Sequence, residues 1–94
     1  MGSIEMAIFA VLADKPSSAL GEKIAELYPR DHYVLSTTQW LVKADTIPRT
    51  LAEELDIRGG TYGRAIVIRT TGEASGWHSK SVWQWLTQKT KDAQ

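Results

Sequence analysis

Two short stretches carry the residue types that could grip a phosphate or a base. In "DIRGGTYGRAIVIR", Asp56 to Arg69, Arg58 and Arg64 flank Tyr62, and Arg69 follows in the next apolar run. An arginine beside an aromatic ring can stack a base or hold a phosphate, and successive glycine N–H groups can cradle an anion. The same glycines also suit a helix stop, with Gly59 in the left-handed conformation and Gly60 and Gly63 turning the chain into a strand. In "GEASGWHSKS", Ser79, Lys80 and Ser81 open a helix whose N-terminus can attract an anion. The plainer reading makes Ser79 an N-cap with Trp77 stapled onto the first turn. His78 and Ser79 are adjacent but have no third member, so a hydrolase triad is not indicated.

These residues sit in a chain of 94 residues, 43% hydrophobic and 23% charged, enough for one small domain with one core. Eleven Lys and Arg balance eleven Asp and Glu, so no net field steers the protein to a polyanion or an anionic membrane. Nucleic-acid binding would therefore rest on a local patch. The chain has no cysteine and two histidines, His32 and His78, which removes thiolate chemistry and fits a cytoplasmic setting. The apolar run "IEMAIFAVLA" contains Glu5 and is too short to span a membrane, so it reads as a strand. No Walker loop, dinucleotide fingerprint or zinc spacing occurs, and no cofactor is expected.

Hydrophobic periodicity supplies the elements. Residues 4–13 form a buried strand ended by "DKPSS". Leu20, Ile24, Leu27 and Tyr28 make a helical stripe from Ser18 until Pro29 closes it. "DHYVLSTTQWLVKAD" reads as two strands joined at Ser36-Thr37-Thr38. Thr46 caps a second helix with Pro48 in its first turn, Ile47, Leu51 and Leu55 inward, and Arg49–Glu53 and Glu54–Arg58 pairs outward. "RAIVIRT" is a fourth strand and "SKSVWQWLTQK" a terminal helix. The order β-α-β-β-α-β-α predicts an α+β domain over residues 4–90, a ferredoxin-like split βαβ with an added C-terminal helix. Met1-Gly2-Ser3 reads as a cloning remnant, and residues 91–94 as a frayed end.

The strand faces point to association. Met6, Ile8, Ala10 and Leu12 on one side of the first strand and Ala7, Phe9, Val11 and Ala13 on the other are all apolar, so the sheet's second face must be covered. Val82, Trp85 and Leu86 of the last helix can provide part of that cover, with Trp83 turned about 160° away from Trp85. Four tryptophans in so small a chain invite an interface. A homodimer through Phe9, Val11, Leu41, Val67 and Trp83 is the expected partner arrangement.

"FAVLAD" ending the first strand, "STTQWLV" in the third and "GWHSKSVWQWL" at the close resemble the SinR-like group of small bacterial proteins. That group is similar in fold to the small CRISPR-associated adaptation proteins described as metal-dependent endonucleases. The resemblance implies a symmetric dimer in which an aspartate after the first strand faces its mate and holds a divalent metal. Asp14 of "LADKP" matches that position, and with Mg²⁺ or Mn²⁺ it would be both the metal ligand and the catalytic residue. An aspartate before Lys-Pro-Ser-Ser is equally an ordinary turn residue. Three expectations result: a small cytoplasmic homodimeric interaction protein, a nucleic-acid-binding relative using Arg58, Tyr62, Arg64 and Arg69, or an Asp14 endonuclease.

Overall fold

The computed structural model describes residues 6–92, so the expected strand start at Ile4 and Glu5, the N-terminal remnant and the last two residues lie outside the described residues. The elements are β1 (Ala7–Ala13), α1 (Ser18–Leu27), β2 (His32–Ser36), β3 (Gln39–Ala44), α2 (Pro48–Glu54), β4 (Ala65–Thr70) and α3 (Lys80–Asp92). Backbone helix persists through Lys91 and Asp92, where fraying was expected. The four strands form one antiparallel sheet in the order β2-β3-β1-β4. Because β3 is antiparallel to both, β1 and β2 run parallel on either side of it.

Local chemistry explains most boundaries. The Ser17 hydroxyl caps α1 by accepting the Leu20 N–H at 3.1 Å, and Tyr28 ends it just before Pro29. α2 begins at Pro48, where the missing N–H is harmless, but its N-cap is Ile47 with no side-chain bond rather than Thr46. At its far end Asp56 adopts φ 62°, with its own N–H donated to Glu53 and the Ile57 N–H donated to Ala52 at 2.8 Å. This is a Schellman closure with an aspartate in the left-handed position, so the helix stops before Gly59. Closing there returns Ile57 to the core, where it is 6% exposed.

The core lies between the sheet and the helices α1 and α2. Phe9 and Val11 of β1, Trp40 and Val42 of β3, Leu20 and Ile24 of α1, and Leu51 and Leu55 of α2 are almost completely buried. Helix α1 approaches so closely that a Cβ on Gly21 would stand 3.3 Å from the Trp40 indole nitrogen. That closeness explains a glycine inside a helix, where its backbone entropy is otherwise unfavourable.

The register reverses the expected facing of β1. Phe9 opposes Val42 and Val11 opposes Trp40, which places Phe9 and Val11 on the helix side at 0% exposure. Val67, opposite Val11, shares that side and is half-buried against the core. Phe9 and Val11 therefore belong to the protein's own core and cannot form a partner surface, whereas Val67 turns its side chain toward the same core from the edge strand β4. The opposite face carries Ile8, Ala10 and Leu12 with Leu41, Lys43, Ile66 and Ile68. Helix α3 lies over the β1 and β2 part of it, burying Val82 and Ile8 to 3% exposure. Trp85 reaches Tyr33 with ring centroids 6.0 Å apart, while Trp83 lines an apolar cavity of about 210 Å³ with Ile8, Leu41 and Leu86. The two indoles thus sit on opposite flanks of the buried Val82.

Candidate functional site

The main convergence of chemistry-bearing residues lies beyond the end of β1. The Asp14 N–H donates to the Arg64 carbonyl at 2.8 Å, continuing the β1–β4 ladder one step past Ala13 and Ala65. Gly60 and Gly63, at φ 77° and 80°, turn the preceding loop back on itself, with the Gly63 N–H bonded to the Gly60 carbonyl at 3.1 Å. The result is a cleft of about 410 Å³ lined by Asp14, Lys15, Tyr62, Gly63 and Arg64. Tyr62 rests against the core, whereas Asp14, Lys15 and Arg64 are exposed.

Only part of the expected arginine cluster is gathered there. Arg58 bonds Glu53 at 3.2 Å instead of joining the cleft, and Glu54, its expected partner, accepts the Tyr28 hydroxyl at 2.7 Å. Arg49 does pair with Glu53, at 3.8 Å. Arg69 opposes Phe9 near the other end of β4, about 16 Å from Arg64 at ~3.3 Å per residue and on the helix side of the sheet. Lys15 is the member that sequence reading passed over as a turn residue. Its position beside Asp14 was visible, but its meeting with Tyr62 and Arg64 depends on the β1–β4 pairing.

Two cations, a phenol and a glycine backbone suit an anionic group with a flat ring attached. They do not suit a divalent metal. Asp14 is the one carboxylate lining the cleft, Lys15 and Arg64 compete for it electrostatically, and no group of three or more acidic or histidine side chains is positioned to hold a metal among the described residues.

The second suggestive stretch serves as an anchor. The Ser79 N–H donates to His78 Nδ1 at 2.7 Å, so a neutral His78 carries its hydrogen on Nε2. Ser79 and Ser81 stand 3.5 and 2.5 Å from the Tyr33 hydroxyl, joining the start of α3 to β2. Hydrogen bonds from Ser79 and then Ser81 lower the Tyr33 pKa below the ordinary phenol value. Burial, reinforced by Glu54, pushes Tyr28 up to about 12. Trp77 is 97% exposed, so the expected staple is not made. His32 donates from Nδ1 to the Tyr28 carbonyl at 2.7 Å, a structural role. No described helix is long and apolar enough to cross a membrane. No protein-family model matches the chain, and no curated protein matches it either.

Proposed function

We propose that this chain is a small cytoplasmic interaction protein of the ferredoxin-like type that works as a homodimer. The strand order, with β1 and β2 parallel about an antiparallel β3 and helices α1 and α2 on one face, supports the ferredoxin-like reading. The observation that carries the dimer is the part of the opposite face left bare by α3. Ile66 and Ile68 of β4 are 54% and 43% exposed there, side by side on an edge strand. Apolar side chains on an unpaired edge favour strand pairing with another chain. Light scattering on a sizing column tests this: a mass of two chains at micromolar concentration is expected, and a monomer throughout that range overturns it.

The cleft favours a second reading, a nucleic-acid-binding relative of the SinR-like and CRISPR-associated proteins that uses Lys15, Tyr62 and Arg64. Binding of a labelled single-stranded oligonucleotide would weaken with salt, and Arg64→Ala would reduce the salt slope by about one. The endonuclease reading rests on Asp14 alone and would need a mate from a second copy. It requires that Asp14→Ala abolish Mg²⁺- or Mn²⁺-dependent cleavage while the circular dichroism spectrum is retained.

A further inference from the structure

We infer that the second copy docks by antiparallel pairing of β4 with β4, about a two-fold axis through Val67, to make one continuous eight-stranded sheet. The inference rests on the homodimer reading and specifies its geometry. The two sheet edges differ in how they are guarded. β2 is five residues long and bulged between Val34 and Ser36, a device that disrupts edge pairing. β4 pairs with β1 over six consecutive residues without a shift, and it holds no proline, lysine or bulge. Its one charged residue, Arg69, lies toward one end and on the helix side, so the regular stretch from Ala65 to Ile68 suits strand addition.

Register follows from side-chain parity and charge. Directly opposed residues in an antiparallel pair share a face, so the axis must pass through a residue rather than between two. An axis at Val67 opposes Ile66 with Ile68 of the second copy, Ala65 with Arg69, and Arg64 with Thr70. An axis at Ile68 sets Val67 against Arg69 and Ile66 against Thr70. One at Ile66 sets Ile68 against Arg64, and one at Arg69 brings two guanidinium groups together. Among these, the Val67 axis alone opposes both isoleucines of each copy with isoleucines while keeping arginines apart.

This geometry also bears on the cleft. Arg64, bonded to Asp14, lies three residues from the axis, so the two clefts stand about 20 Å apart at ~3.3 Å per residue. The two Asp14 carboxylates cannot share an ion at that separation. Each dimer instead presents two cationic clefts at opposite ends of the strand pair.

The absence of native cysteine makes the test direct. Val67→Cys, Ile66→Cys and Ile68→Cys full-length chains are oxidised mildly and followed on a non-reducing gel, with light scattering in parallel. Opposed Cβ atoms about 4.5–5.5 Å apart lie within reach of a disulfide after small adjustment. Val67→Cys is expected to form covalent dimer at least tenfold faster than Ile68→Cys. An equimolar mixture of Ile66→Cys and Ile68→Cys should crosslink faster than either alone, which keeps the test valid if Val67→Cys folds poorly. Faster crosslinking of Ile68→Cys alone, or a dimer by light scattering that no variant crosslinks, overturns the register and leaves the homodimer standing. A monomer by light scattering overturns both.

Discussion

The two edges of the sheet are built from similar residues, "HYVLS" in β2 and "AIVIRT" in β4, yet the fold treats them differently. Along β2, Tyr33 and Leu35 face α3, where the phenol meets Ser79, Ser81 and Trp85, and a bulge interrupts the ladder. Along β4 the ladder is regular and its isoleucines face outward beyond the reach of α3. The lesson is that an edge's fate depends on its cover more than its composition. Val34 on β2 is as exposed as Ile66, at 54% each, but a single apolar residue beside a bulge is not a platform.

The largest effect should come from the strand that both sides of the sheet depend on. Phe9→Ala empties a site at 0% exposure and is expected to lower the unfolding free energy by about 3–5 kcal/mol in urea titrations. A normal stability with a lost dimer would instead return Phe9 to the interface and reverse the assignment of faces. Next, replacing Ile66 and Ile68 together with lysine should convert the dimer to monomer while changing monomer stability by less than about 1 kcal/mol, and Val34→Lys should leave the dimer intact. Equal loss of dimer from both changes would erase the contrast between the edges.

A smaller effect tests the cover on β2. Tyr33→Phe removes the hydroxyl that meets Ser79 and Ser81, so amides at the start of α3 should exchange measurably faster. Unchanged exchange would mean that packing alone seats the helix. The mildest perturbation is alkaline titration followed by tyrosinate absorbance, in which Tyr33 should ionise before Tyr28. With Tyr28 raised to about 12 from 10.0, its contribution to stability is full below pH 10 and is lost as pH rises toward 12. Tyr33 has the opposite sign: its contribution is full above pH 10 and is lost as pH falls through its lowered folded value. Simultaneous ionisation of the two phenols would contradict their different surroundings.

The order of the seven elements was readable because each has its own punctuation, such as Ser17 and Pro29 around α1 and Pro48 at the start of α2. The facing of β1 was not, because Ile8, Ala10 and Leu12 are as apolar as Phe9, Val11 and Ala13, and only the pairing with Trp40 and Val42 decides between them. The end of α2 was misread for a related reason. Gly59 looked like a natural stop, but burial of Ile57 requires the turn to fall earlier, on Asp56. Of the candidate site, Tyr62 and Arg64 were visible as a pair, and Asp14 was visible separately. Their union with Lys15 is a tertiary event that no local pattern encodes.

Lys43 gives the roof over the sheet a further property. It lies on the face beneath α3, opposite Ile8, and is 6% exposed. A lysine can be covered this way only if its methylenes pack while its ammonium keeps access to solvent. The contact between α3 and the sheet therefore has a polar margin at Lys43, unlike the apolar layer around Phe9. A contact with a polar margin opens at lower free energy than a core, so the amides of α3 are expected to exchange faster than those of the four strands.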